Sequence, residues 1–574
     1  MLSKSGLLSL LSLLFTLLLL PAAVVAGKWT APPAAAIASA HPAATEAGIR
    51  ILRQGGNAFD AAVTVTAVLA VAEPYSSGIG GGGFYLLHKA AEGLTTMLDA
   101  RERAPFEATR DMYLDSNGEP TTASLEGPLS AGIPGIPAAL VELAIVHGRL
   151  PLQQTLQPAI EVAREGFAVD EHYRRMADMR LELLQRYPQT AAIFLHENQV
   201  PPLGHVIRQP DLARTLSRIA SYGNTGFYSP LAAGDMVEQV RLDGGIWSLD
   251  DLAGYRLRYR EPVTTQYHGW QVTSAAPPSS GGIALATMFG ILSLYDLGSM
   301  SEGQRYHHII EAMRHAYRDR AEYLGDPDHI AVPVDKLLSE GHIRSKLEWI
   351  RRDEATPSAS LPPVPVEGAR GTDTTHFSIL DGEGNRVSAT LSINYPFGSG
   401  YVIPGTGILL NDEMDDFSAK PGSPNAYGLV GAEANAIAPG KRPLSSMSPT
   451  FLEHEDKLVI LGTPGGSRII TMVLLGALEA MRGGTAEEVA SLRRLHHQYL
   501  PDRVAFEEGA ITDSAAEELT LLGHELQQQE RPYGNMQVVI WDREIDRVDA
   551  ASDPRGAGSA AVMPMLSVAR AAAD

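Results

Sequence analysis

The sequence predicts a mixed α+β protein with a large core. Helical and strand patterns alternate through most of the chain. Apolar residues make up 44% of the 574 positions and charged residues 20%, near the globular norm, which excludes a disordered chain. No repeat of about 20–50 residues runs through it, so a solenoid or propeller is excluded too. The length fits roughly three to four domains, or fewer large ones.

Composition removes several chemistries. There is no cysteine, hence no disulfide framework, zinc–cysteine site, iron–sulfur cluster or cysteine nucleophile. Lys and Arg number 46 against 67 Asp and Glu, a formal net charge of -21 that repels nucleic acid and anionic membranes.

The elements follow in order. Lys4, the apolar run Leu7 to Leu20 and small residues ending at Ala26 describe a secretory signal peptide, residues 1–26, with Gly27 first in the mature chain. The run is short of the about 20 residues a membrane helix needs. No Asn-x-Ser/Thr site occurs, and a bacterial periplasmic or secreted protein fits best. Asn57 to Glu73 is alanine-rich, bounded by Gly55-Gly56 and Pro74, and reads as a buried helix. Phe84 to Leu87 reads as a strand; Ala138 to Val146 and Gln304 to Leu324 read as helices. Residues 355–371 hold four prolines and no apolar periodicity, so they form a loop or linker.

After the linker, Thr374 to Leu380 and Arg386 to Asn394 flank a Gly/Asp/Asn turn and predict a hairpin. With the turn centred near Glu383, Thr374 faces Ser392, and Asn394 lies on the same face. Three hydrogen-bonding side chains thus gather where the linker ends.

Two motifs are set aside. Gly78 to Gly83 contains a formal G-x-G-x-x-G, but a helix precedes it and a strand follows, the reverse of a dinucleotide fingerprint; close backbone packing fits better. His307, His308, Glu311 and His315 share one helix, the last three on one face, yet H-E-x-x-H is absent and a solvated or hydrogen-bonded face is the expectation. Neither a Walker A motif nor a G-x-S-x-G elbow occurs.

Three clusters remain. Four acids follow an apolar run in residues 409–417; Ser445 and Ser446 sit in a proline-bounded loop; Gly462 to Arg468 is a glycine loop ahead of an apolar helix, whose free N–H groups suit an anion or oxyanion. Acids, hydroxyls and oxyanion donors are present without an obvious histidine base. A threonine serves as nucleophile if its own α-amine is the base, which requires it to be N-terminal.

In eight ordered blocks the chain resembles the γ-glutamyltransferase family of N-terminal-nucleophile hydrolases, from about Ala35 to about Ala561. The blocks are GGNAFDAA (55–62), GIGGGG (78–83), LDARERAP (98–105), DTTHFSI (373–379), the acids at 409–417, DDFSAKPGSPNAYGLV (415–430), KRPLSSMSPT (441–450) and GTPGGSR (462–468). The resemblance implies a four-layer αββα sandwich and a precursor that cleaves itself between Asp373 and Thr374. Residues 27–373 then form a large subunit and 374–574 a small one, a heterodimer. The freed α-amine of Thr374 activates its hydroxyl, which attacks a γ-glutamyl amide; water or an amino acid or dipeptide amine takes the acyl group.

By the same resemblance Arg101, Ser445 and Ser446 hold the substrate α-carboxylate, and Asn394, Glu413 and Asp416 hold its α-ammonium. Gly465 and Gly466 receive the oxyanion. Ser392 departs from the family's usual threonine but keeps a hydroxyl. Tyr427, in the 421–430 loop, stands as the lid, a segment that often differs in cephalosporin acylases and polyglutamate-processing relatives. The resemblance implies no cofactor and no metal. It implies glutathione-like substrates, no nucleic-acid partner and no stable membrane span. The alternatives are a glutaryl (cephalosporin) acylase of the same fold and an unprocessed binding homologue.

Overall fold

Two antiparallel sheets lie face to face with helices outside each, an αββα sandwich. The computed structural model describes residues 31–362, 374–420 and 432–565. The signal segment 1–26, linker residues 363–371, Asp373 and the lid residue Tyr427 lie outside the described residues.

The strands of the two sheets are β1 (Ala34–Ser39), β2 (Gly82–Lys89), β3 (Leu94–Asp99), β4 (Arg258–Arg260), β5 (Val263–Tyr267), β6 (Trp270–Ser274), β7 (Thr375–Leu380), β8 (Arg386–Ser392), β9 (Thr450–Glu453), β10 (Lys457–Gly462), β11 (Gln537–Asp542), β12 (Arg547–Ser552) and β13 (Ser559–Pro564). One sheet runs β13-β1-β7-β8-β2-β3-β4, the other β12-β11-β10-β9-β6-β5. Each sheet contains strands from both sides of the linker. Neither half can therefore complete a core alone, and from Pro32 onward the chain is one unit, the fewer-and-larger outcome of the length estimate.

The predicted hairpin is β7–β8. Its register pairs Leu380 with Arg386 and Thr375 with Leu391, which puts Thr374 and Ser392 next in line, as the turn position predicts. Alternation then divides the side chains. Phe377, Ile379, Val387, Ala389 and Leu391 enter an apolar core shared with helices α1 (Pro42–Arg53) and α2 (Ala58–Ala72). The opposite face is polar and meets the second sheet: Ser378 Oγ donates to Gln537 O at 3.1 Å and Ser388 Oγ to Leu461 O at 3.2 Å.

Helix α2 is buried along its whole length, which its apolar sequence requires. Asn57 caps it: the side chain accepts from Asp60 N while the Asp60 carboxylate accepts from Asn57 N. The glycine run that follows packs backbone on backbone. A Cβ on Gly80 would lie 2.1 Å from Leu409 O, and one on Gly81 2.2 Å from Ser392 O. The run thus brings the acid cluster and the hairpin end together.

The helix expected at residues 138–146 is Ile136–Glu142, continued as a π turn to His147. Helices α3 (Gly281–Leu292) and α4 (Glu302–Tyr323) lie on the second sheet's side, the latter matching the expected 304–324. One expectation on α4 needs correction. His307, His308, Glu311 and His315 are all buried, not solvated, because α4 is packed on several sides. His307, His308 and Glu311 are hydrogen-bonded: His307 Nδ1 meets His524 Nε2 at 2.8 Å and its Nε2 meets Arg351 O at 2.6 Å, His308 Nδ1 meets Gln304 O, and Glu311 accepts from Thr356 N. His307, Glu311 and His524 are the group that converges, rather than His308, Glu311 and His315. His524 is distant in sequence, so the helix pattern alone could not reveal it. Among the described residues no helix is long and apolar enough to cross a membrane.

Candidate active site

A small polar cavity opens where the hairpin begins. Arg101, Thr374, Ser392, Asn394, Glu413, Asp416, Ser445, Ser446 and Gly466 line it, with Met447 and Ile469. Residues from distant parts of the sequence meet there because the glycine run, the hairpin end and the loops of the second sheet share one edge of the sandwich.

Thr374 precedes β7 directly and is 4% exposed. Ser392 ends β8, and its Oγ accepts from Asn394 N at 2.7 Å. At Asn394 the chain turns out of the strand through a left-handed conformation, φ 73°, and Nδ2 donates to Asp412 O at 2.9 Å. The acids form a single 3₁₀ turn, Glu413–Asp416. Asn411 pins that turn: its Nδ2 donates to Gly80 O and Gly132 O, and its Oδ1 accepts from Glu413 N.

Arg101 follows β3. Its backbone is fixed by Asp99, which accepts from Arg101 N at 2.9 Å, and by Tyr255 OH, which donates to Arg101 O. Its guanidinium is spread as a fork. Nη1 reaches Glu413 Oε1 at 2.5 Å, Nη2 reaches Asp416 Oδ2 at 2.5 Å, and Nε donates to Pro443 O at 3.2 Å. Burial opposes this charge, but Glu413, Asp416 and Glu102 outweigh it and hold the pKa above the ordinary value. Burial pushes Glu413 up to about 7, against the pull of Arg101. Glu102 is raised well above the carboxylate range by burial and then by Glu413. One guanidinium cannot neutralise three carboxylates, and burial together with Glu413 disfavours the charged form of Glu102.

The serine hydroxyls are oriented by what they accept. Ser445 Oγ accepts from Met447 N at 3.1 Å, and Ser446 Oγ from Arg320 Nη2 at 3.4 Å. A hydroxyl whose lone pair is occupied keeps its proton to give to an anion. Gly465 and Gly466 both have positive φ, 140° and 56°. A Cβ on Gly465 would lie 2.5 Å from Met472 Cε. Gly466 opens a tight turn into the apolar helix α5 (Ile469–Met481), and it lines the cavity whereas Gly465 sits just outside the lining.

A family model described as Gamma-glutamyltranspeptidase matches residues 44–563. The chain belongs to the γ-glutamyltranspeptidase family. Its relatives include proteins named glutathione hydrolase proenzyme from Escherichia coli K12, 41% identical over 83% of each chain. The one from Pseudomonas aeruginosa is 40% identical over 91% of this chain and 93% of the relative. Among solved structures, cephalosporin acylase from Bacillus halodurans matches with a TM-score of 0.81, 28% identity and coverage of 92% and 96%. Helicobacter pylori gamma-glutamyltranspeptidase matches at 0.55, with 37% identity, covering 57% of this chain and 94% of that one.

Within this member of the transpeptidase family, sequence reasoning missed three residues. Glu102 was within reach, being the neighbour of Arg101 in the LDARERAP block. Arg320 gave no signal, since α4 carries several arginines and only packing shows which one points at the site. Glu73 accepts from Thr375 Oγ1 at 2.7 Å, next to Thr374, and burial pushes its pKa up to about 7.

Proposed function

We propose that this chain is an autoprocessing γ-glutamyltransferase and glutathione hydrolase with Thr374 as nucleophile. One observation carries the reading. Beside Thr374, a buried guanidinium stands opposite a pair of buried or half-buried carboxylates, Glu413 and Asp416. An α-amino acid head group matches that pattern with both its charges: its carboxylate suits the Arg101 fork and its ammonium suits the two acids. Binding exchanges one set of ion pairs for another, so neither partner is left bare in the low-dielectric cavity.

The reaction follows from these positions. Cleavage between Asp373 and Thr374 frees the threonine α-amine, which takes the hydroxyl proton as Oγ1 attacks the γ-carbonyl. N–H groups of Gly465 and Gly466 receive the oxyanion. The amide C–N bond breaks, its nitrogen leaves with the proton, and a γ-glutamyl ester remains on Thr374. Water releases glutamate; an amino acid or dipeptide amine gives a new γ-glutamyl peptide. Asn394, Ser445 and Ser446 hold the head group, and Ser392 supports the nucleophile. The working enzyme is a heterodimer of residues 27–373 and 374–574, exported by the signal peptide 1–26 to the periplasm or beyond.

The similarity to cephalosporin acylase favours a second reading, a glutaryl acylase. A glutaryl group has no ammonium for Glu413 and Asp416, which counts against it. Release of a chromogenic γ-glutamyl anilide, with and without glycylglycine, beside a glutaryl anilide, tests both. Preference for the glutaryl compound would reject the transferase, and a single undivided chain with no turnover would favour a binding homologue.

A further inference from the structure

Arg320 lies near the C-terminal end of α4, 5% exposed, behind the wall that carries Ser446. Among the described residues its guanidinium meets hydroxyls rather than acids. Nε donates to Ser280 Oγ at 3.0 Å and Nη2 to Ser446 Oγ at 3.4 Å, and no carboxylate lies within ion-pair distance. A buried cation left in that state is costly unless an anion comes near it. Burial pushes its pKa down to about 10; Asp416 opposes that shift, but Asp416 is already engaged by Arg101.

The direction of each hydrogen bond can be read from this one residue, because a guanidinium only donates. Ser280 Oγ accepts from Arg320 and so gives its own proton onward to Ser445 O, at 2.7 Å. Ser280 N donates to the same carbonyl at 2.8 Å. Ser446 Oγ accepts from the second nitrogen and so keeps its proton for the cavity it lines. Two fixed N–H directions hold two successive residues, Ser445 through its carbonyl and Ser446 through its hydroxyl. A lysine ammonium, a single point on a flexible stem, cannot reproduce that fork.

We propose that Arg320 is a positioning residue for the substrate α-carboxylate, fixing the Ser446 hydroxyl as a donor into the cavity and placing a second buried positive charge behind it. The proposal rests on the γ-glutamyl reading above. It names a determinant of carboxylate recognition that touches no substrate atom.

The test compares wild type, Arg320→Lys, Arg320→Gln, Ser446→Ala and the Arg320→Lys/Ser446→Ala double variant. Substrates are a γ-glutamyl anilide and the same anilide with its α-carboxylate converted to the amide. Arg320→Lys should raise KM for the carboxylate substrate about tenfold while kcat stays within about twofold. The amidated substrate should show little change in kcat/KM. The double variant should be no worse than Ser446→Ala alone, because both changes remove one interaction. Equal losses on both substrates, additive losses in the double variant, or loss of self-cleavage in both Arg320 variants would each overturn the proposal. Absence of γ-glutamyl turnover in the wild type itself would instead reject the functional reading, and this inference with it.

Discussion

Arg101 Nη1 and Glu413 Oε1 stand 2.5 Å apart, and each side chain is only 1% exposed. At that burial a charge pair is kept only with good geometry and further partners. Arg101 has them in Asp416 and the Pro443 carbonyl. The pair presents opposite charges side by side in a cavity that Thr374 also lines.

Processing depends on Thr374. Thr374→Ala should remain one chain on a denaturing gel, because no hydroxyl attacks the preceding carbonyl. Thr374→Ser should still cleave, more slowly. N-terminal sequencing of the small subunit should begin at Thr374; any other start removes it as nucleophile.

Arg101→Lys keeps the charge and loses the fork. Self-cleavage should stay normal while KM for γ-glutamyl anilide rises. The loss of a charge-assisted two-pronged contact costs on the order of 2–3 kcal/mol, about 30- to 150-fold in kcat/KM. A wild-type KM in this variant would take Arg101 out of the site.

Asp416→Asn should separate substrate classes. It deletes an ionic partner that only an ammonium-bearing substrate uses, so γ-glutamyl anilide should lose far more kcat/KM than glutaryl anilide. Normal self-cleavage and an unchanged melting curve are the controls for folding damage. Equal losses on both substrates would end the ammonium-binding role.

Glu73 links stability to pH. Burial raises its carboxyl from the ordinary value of 4.5 to about 7 in the folded protein. The folded state therefore holds a proton that the unfolded state releases between those values. The stability this contributes is complete below 4.5 and is lost as pH rises through 7, on the order of 3 kcal/mol. Glu73→Gln cannot ionise, so its Tm relative to wild type should climb between pH 4.5 and 8. A constant difference across that range would show that Glu73 titrates normally.

The mixed fold, the hairpin register and the buried helix α2 were legible in the chain because local patterns determine them. Alternation, turn position and capping act over a few residues, and Thr374 opposite Ser392 follows from counting along one turn. The eight blocks likewise marked Arg101, Glu413, Asp416 and both serines. Tertiary structure alone decided what depends on distant partners. Arg101 lies against Glu413 and Asp416 only because Gly80 and Gly81 let two backbones touch. His307 is buried against His524, and Arg320 rather than another arginine of α4 holds Ser446. A helical pattern states which residues share a face; what that face meets is set by packing between segments hundreds of residues apart, and there the charges acquire their partners.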